Sequence, residues 1–198
     1  MNRSALLVPA LLLAIPAYSG AAAEELSTVI EICVVCHGVD GSGAGFDDVP
    51  IIAGTPAAHI EEAVFAYQDE TRRCVNEPAM CVAVERLTEQ EVIFAAEHYA
   101  AMPRISSEED FNKHLAAAGE RIHGEHCSKC HLSPDDENIG DALGIPLHGQ
   151  RKKYLKFALK AYFDGDRLSL IPLMAEKIAM LDEDDVEALI HYYASYRP

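Results

Sequence analysis

The sequence lacks any run of about 18 consecutive apolar residues, and no segment alternates apolar and polar residues as a strand does. From the first absence we expect no stable membrane-spanning helix, and the second argues against β-structure. Basic residues are scarce, since 16 Lys and Arg face 32 Asp and Glu and the net charge is −16. This charge argues against nucleic acid and anionic lipid as partners. It either steers the protein toward positively charged partners or only keeps the surface solvated.

The N-terminal segment is typical of an export signal. Arg3 precedes an apolar stretch over residues 5–17, and three alanines follow at 21–23. We expect a signal peptide over residues 1–23 that is cleaved near Ala23. An uncleaved N-terminal anchor is the alternative, although the apolar stretch is short for one. Export would place the rest of the chain in the periplasm, where cysteines meet oxidising conditions.

The chain repeats itself at an offset of 94 residues. The residues that coincide include Cys33, Cys36 and His37 with Cys127, Cys130 and His131, Arg73 with Arg167, and Met80 with Met174. Chance explains a single pair, but not cysteine, histidine and methionine pairs at one offset. We therefore expect two tandem domains after the signal peptide, over residues 24–104 and 105–198.

Apolar residues at helical spacing predict an all-α fold with three helices in each domain. The predicted helices cover residues 26–33, 59–70 and 92–101 in the first domain and 111–127, 154–163 and 186–196 in the second. Acidic residues lie in or just before the first turn of each closing helix, which suits the helix dipole. A linker near residue 105, with Ser106, Ser107, Glu108 and Glu109, is expected to lead into the cap of the next helix.

Each domain contains a C-x-x-C-H motif, which is typical of covalent haem attachment. The motifs are Cys33-Val34-Val35-Cys36-His37 and Cys127-Ser128-Lys129-Cys130-His131. Two cysteines at this spacing reach the two vinyl groups of one porphyrin, and the histidine that follows binds the iron as the proximal ligand. A thioredoxin-like redox pair, a zinc site and a structural disulfide are the alternatives. A redox pair would need a β-α-β pattern, and zinc would leave both histidines unexplained. We expect two covalently bound haems c.

The second axial ligand of each iron is expected to be a methionine. After residue 23 the methionines are Met80, Met102, Met174 and Met180. Only Met80 and Met174 coincide under the 94-residue shift, and each lies 43 residues after its proximal histidine. A methionine is ordinarily core filler, but the shared register favours ligation, which raises the reduction potential above that of a bis-histidine haem.

Two arginines also share the 94-residue register. Arg73 and Arg167 are candidates for bidentate contacts to haem propionates. Merely solvated arginines are the alternative.

Cys74 and Cys81 break the symmetry of the repeat, because they bracket Met80 in the first domain alone. In an oxidising compartment we expect them to form a disulfide. One thiolate replacing methionine on the iron, or two free thiols, are the alternatives.

The tandem C-x-x-C-H motifs and the distal methionines resemble the dihaem class I cytochromes c. These comprise the cytochrome c4 family and the related haem subunit of flavocytochrome c sulfide dehydrogenase. The second domain is similar to that subunit in residues 118–123, in His148-Gly149-Gln150 followed by Tyr154-Leu155, and in the Tyr-Ala-Ser ending at 193–195. The resemblance covers nearly all of the chain after residue 23.

The resemblance implies a backbone carbonyl in the loop 50–54 that accepts from the proximal histidine. In the matching loop 145–150 the proline is displaced, so the acceptor there stays open. It also implies a periplasmic electron-transfer protein without catalytic residues, whose partners are redox proteins. We expect the haem subunit of a sulfide dehydrogenase, in which a flavoprotein chain supplies the electrons. A free-standing carrier is the alternative, and a catalytic dihaem enzyme is disfavoured because both haems have a matched His/Met pair.

Overall fold

The computed structural model describes residues 20–43, 45–75, 78–139 and 142–198. The expected signal peptide over residues 1–23 lies outside these ranges, apart from residues 20–23 at the start of the first helix. Within the described ranges, no helix is both long and apolar enough to cross a membrane.

Eight helices make up the regular structure of the described residues. They are α1 (Gly20–His37), α2 (Ala57–Gln68), α3 (Pro78–Val84), α4 (Glu89–Ala100), α5 (Lys113–His126), α6 (Lys152–Phe163), α7 (Pro172–Ile178) and α8 (Glu183–Ala194). No strand forms in this part of the chain, where the β-pairing is an isolated antiparallel bridge between Arg72 and Arg167. The all-α prediction is therefore confirmed.

Each half of the chain has four helices rather than the three that the sequence predicts. The additional helices, α3 and α7, have seven residues each and carry Met80 and Met174. Both begin at a proline, which suits the first helical position because that N–H has no partner in the helix. Two turns are too short for a readable apolar period, so periodicity alone leaves these segments as loops.

The helix caps follow the repeat only in part. Thr88 and Glu91 form a capping box at the start of α4, and Asp182 and Asp185 form another at the start of α8, 94 residues later. Helix α5 is instead capped by Asn112, whose side chain accepts from the backbone N–H groups of the first turn. The Ser-Ser-Glu-Glu linker thus leads into a cap, as expected, and the capping residue lies three positions beyond Glu109.

The core of the second half is built on close contact between α5 and α8. Gly119 lies against the backbone of Ala188 so closely that a Cβ at this position would collide with the Ala188 carbonyl oxygen. The cluster beneath this crossing includes Leu155, Leu189 and Tyr193, all almost fully buried. The crossing brings Tyr193 of α8 next to Cys127 of the second C-x-x-C-H motif.

Polar contacts join the two halves of the chain. The buried side chain of Gln150 pairs with the backbone of Ile51, and Arg104 donates to the carbonyls of Pro146 and His148. These contacts reach loops that flank the two motif histidines.

Candidate haem sites

Both motif histidines lie at the C-terminal end of their motifs, with one ring nitrogen bound to a backbone carbonyl. His37 Nδ1 lies 3.2 Å from the Pro50 oxygen, and His131 Nδ1 lies 2.8 Å from the Ile145 oxygen. Because a carbonyl only accepts, Nδ1 carries the proton in each ring, and Nε2 presents a lone pair to a metal. Burial lowers the pKa of both histidines, so the imidazoles are neutral and able to coordinate.

The two carbonyl acceptors differ by one residue in register. Pro50 is 13 residues after His37, whereas Ile145 is 14 residues after His131. The displaced proline of the second half of the chain therefore moves the acceptor without removing it. Gly144 makes this possible, because a Cβ there would lie 2.6 Å from the His131 ring.

The four motif cysteines are free and half-buried, and none is paired in a disulfide. Burial raises the pKa of the Cys33 and Cys127 thiols, which disfavours the thiolates that zinc requires. Within the described ranges, no three His, Cys, Asp or Glu side chains are grouped to hold a metal ion. Paired free thiols beside a histidine with an available Nε2 suit a covalently attached haem instead.

The two candidate methionine ligands lie on the short helices, half-buried in each case. An apolar cavity of about 270 Å³ adjoins α7, the helix of Met174. Its walls include Tyr162 and Ile178, and Arg167 adds a cation to them. The described residues that line the cavity include neither Met174 nor any member of the second C-x-x-C-H motif.

Cys74 and Cys81 form the expected disulfide, with a Cα–Cα distance of 6.1 Å. Neither sulfur is therefore available as a thiolate ligand. The disulfide joins Cys81, which follows Met80 on α3, to Cys74 in the segment that precedes this helix.

The arginines of the repeat have different environments. Arg73 is exposed, forms an ion pair with Asp166 at 3.0 Å and donates to the Gly165 carbonyl. Arg167 stacks on the Tyr162 ring, with 4.7 Å between its Cζ and the ring centroid. The buried arginine of this region is Arg72. It stacks on Tyr67 as Arg167 stacks on Tyr162, so the structure pairs Arg72 with Arg167 at a local offset of 95 residues rather than 94.

A buried cluster of histidines and tyrosines lies beside the second motif, and the sequence spacing does not reveal it. The Tyr193 hydroxyl is 3.0 Å from His123 Nδ1, and the Tyr192 hydroxyl is 3.2 Å from His148 Nε2. Burial lowers the pKa of both His123 and His148 to about 4. Both rings are neutral at physiological pH, so they act as hydrogen-bonding core residues.

Known proteins resemble the chain over most of its length. Cytochrome c-552 of Acidithiobacillus ferridurans is 28% identical over 204 residues, covering 96% of this chain and 87% of that protein. The thiosulfate dehydrogenase electron acceptor of Thiomonas intermedia is 28% identical over 80% of this chain and 73% of its own. Cytochrome c4 of Thiocapsa roseopersicina is 28% identical over 81% and 85%, respectively. No protein-family profile matches the chain.

A smaller relative matches part of the chain. Cytochrome c-554(548) of Halomonas halodenitrificans is 31% identical over 72 residues, which are 36% of this chain and 86% of that protein. This length is close to that of one repeat unit. Small single-unit cytochromes and the longer relatives therefore both resemble the duplicated chain.

Solved structures share the arrangement of helices. Cytochrome c4 of Acidithiobacillus ferrooxidans superposes with a TM-score of 0.71 at 22% identity, covering 84% of this chain and 99% of that one. The as-isolated thiosulfate dehydrogenase of Marichromatium purpuratum gives a TM-score of 0.68 at 26% identity, covering 87% of this chain and 40% of that one. The chain therefore belongs to the c-type cytochromes and is an electron-transferring dihaem class I cytochrome c of the cytochrome c4 family, with covalently bound haem.

Proposed function

We propose that this cytochrome is a periplasmic carrier that accepts electrons from an enzyme oxidising a reduced sulfur compound. In this proposal, domains over residues 24–104 and 105–198 hold one haem each, after removal of residues 1–23. The observation that carries the proposal is the duplicated histidine geometry. In both halves Nδ1 is bound to a carbonyl and Nε2 remains for the iron.

The proposed ligands follow the repeat. Thioethers to Cys33 and Cys36 would hold the first haem and thioethers to Cys127 and Cys130 the second. The axial ligands would be His37 with Met80 and His131 with Met174. Each haem supplies a one-electron couple when bound.

The chain's own residues orient and tune these couples. The carbonyl of Pro50 or Ile145 fixes the ring orientation and increases the basicity of the proximal histidine. Thioether ligation by Met80 or Met174 would favour the reduced iron and so raise the potential. No residue of the chain has to transfer a proton to a substrate, which suits a carrier rather than an enzyme.

Thiosulfate dehydrogenase is the first candidate donor. One relative is named as the electron acceptor of that enzyme, and a solved thiosulfate dehydrogenase contains a region of the same fold. The strongly acidic composition supports docking on a positively charged partner surface.

The flavoprotein subunit of a sulfide dehydrogenase is the second candidate donor. The resemblance of residues 118–123 and of His148-Gly149-Gln150 to the haem subunit of such enzymes supports it. In that case the two proteins would form a stable complex rather than meet transiently.

Electron acceptance is tested by mixing the oxidised holoprotein with each candidate enzyme and its substrate. Haem reduction is followed by stopped-flow absorbance, and the substrate without enzyme is the control. We expect rapid reduction by one of the two enzymes, with a rate that falls as salt is added because attraction between the proteins is screened. Reduction no faster than with the substrate alone, for both enzymes, would contradict the proposal. Co-purification with a flavoprotein would favour the second donor.

A further inference from the structure

A short antiparallel ribbon joins the two halves of the chain and contains the buried Arg72. Arg72 and Arg167 lie directly opposite each other in it. The Arg73 N–H donates to the Asp166 carbonyl at 2.7 Å, and the Leu168 N–H donates to the Thr71 carbonyl at 2.8 Å. The two hydrogen bonds are related by an offset of 95 residues, as are helices α2 and α6 that precede them, so Arg72 and Arg167 are mates at the centre of a symmetric ribbon.

The two faces of the ribbon differ in their charge balance. Directly opposite residues of an antiparallel pair lie on one face, and the next pair lies on the other. On the outer face, Arg73 and Asp166 neutralise each other in an ion pair of 3.0 Å. On the inner face, Arg72 and Arg167 place two positive charges side by side, an arrangement that repels.

The inner guanidinium groups lie among tyrosines. Arg72 is 7% exposed, stacks on the Tyr67 ring at 4.3 Å, and donates from Nη2 to the Tyr154 hydroxyl at 3.4 Å. Arg167 stacks on Tyr162 and also bonds the Tyr154 hydroxyl. Tyr154 is therefore shared by two cations that belong to different halves of the chain.

The inner arginines form no ion pair with any residue that the structure describes. Among the described residues, no carboxylate lies within 4.0 Å of either inner guanidinium. Burial raises the pKa of Tyr154, but the two arginines outweigh it and lower that pKa to about 8. Buried charges are ordinarily paired with an opposite charge. We therefore expect an anion to bind beside these two arginines.

We propose that Arg72 and Arg167 form one clamp, shared by the two halves of the chain, that binds haem propionate carboxylates. The inference rests on the proposed function for the presence of the haems. Arg167 lines the cavity beside the helix of Met174, and guanidinium groups hold carboxylates bidentately. Arg73, which the 94-residue offset of the sequence pairs with Arg167, forms a surface ion pair with Asp166 instead.

The test compares Arg72→Gln, Arg72→Lys and the matched control Arg73→Gln as purified holoproteins. Spectroelectrochemical titration of each haem from pH 5 to 8, without any partner enzyme, measures the pKa of the redox-linked propionates. Removing a cation at contact distance raises a carboxyl pKa by about one unit or more. We expect that shift in Arg72→Gln, a smaller shift in Arg72→Lys, and none in Arg73→Gln.

Two results with these variants would overturn the proposed clamp. Wild-type profiles in both Arg72 variants would show that no propionate meets this side chain, and an equal shift in Arg73→Gln would assign the effect to general surface charge. If Arg72→Gln does not fold, Arg72→Lys decides alone, because it keeps the charge but loses the planar fork. A wild-type profile that changes between chloride and phosphate buffers would assign the site to a free anion. Since no donor enzyme is present, failure of the proposed function leaves this readout unchanged.

Discussion

Gln150 of the second half completes the hydrogen bonding of Ile51 in the first. Its Nε2 donates to the Ile51 carbonyl and its Oε1 accepts from the Ile51 N–H, both at 2.9 Å. Ile51 follows Pro50, whose carbonyl accepts from His37. A side chain of one half thereby fixes the loop that orients the motif histidine of the other.

Replacing Gln150 by alanine is expected to lower the free energy of unfolding by about 2 kcal/mol or more, because it leaves two buried backbone groups without a partner. Urea unfolding of the holoprotein, followed by haem absorbance, measures the change. Gln90→Ala is the control, since Gln90 is exposed on α4. Equal effects of the two substitutions would contradict the role assigned to Gln150.

Gly119 is expected to tolerate no side chain at the crossing of α5 and α8. A Cβ would meet the Ala188 backbone, which cannot move as a side-chain end can, so Gly119→Ala should cost about 1–3 kcal/mol of stability. Gly124→Ala, in the same helix, has nothing within 4 Å of the new Cβ. It should be neutral or stabilising by up to about 1 kcal/mol, because alanine favours the helix. Thermal unfolding of the two variants compares them, and equal melting temperatures would refute the close crossing.

The buried histidines make the second half sensitive to acid. The pKa of about 4 for His123 and His148 lies below the value of about 6.5 in an unfolded chain. The unfolded state therefore takes up protons first, and stability that is complete above about pH 6.5 is lost as the pH falls toward 4. The slope should reach up to about 1.4 kcal/mol per pH unit for each histidine.

Denaturant unfolding at several pH values between 4 and 7 tests this dependence. His148→Phe should reduce the slope, because one of the two proton-binding sites of the unfolded state is gone. His98→Phe, at an exposed position, should keep the wild-type slope. An unchanged slope in His148→Phe would exclude the buried pair as the cause.

The disulfide between Cys74 and Cys81 should stabilise the segment around Met80. Replacing both cysteines by serine is expected to lower stability by about 2 kcal/mol, the value for closing so short a loop. Alkylation followed by mass analysis checks the thiols of the native holoprotein. Two thiols should react after reduction and none before it; reaction without reductant would contradict the bridge.

The helical spacing and the register at 94 predicted a duplicated all-α fold, which the structure confirms. The register also singles out Met80 and Met174 among four methionines, a choice that stays a prediction. It could not predict that these methionines lie on helices, because seven residues give no readable period. The disulfide was predictable, since two cysteines outside the repeat in an exported chain have few other roles.

Contacts that depart from a single 94-residue offset were hidden from the sequence. That offset paired Arg167 with Arg73, whereas the structure repeats at 95 residues around α2 and α6 and makes Arg72 its mate. Gln150 binds a backbone 99 residues away, and a polar side chain gives no periodic signal of such a partner. His123 and His148 are buried by tertiary packing alone.

The ferric absorption spectrum of methionine variants tests the central claim, that His37 with Met80 and His131 with Met174 hold the two irons. Met80→Ala and Met174→Ala should each remove about half of the weak red band of the methionine–iron bond, and the double variant should remove all of it. Met102→Ala and Met180→Ala should keep the band at full strength. A full band in both Met80→Ala and Met174→Ala would contradict the assignment.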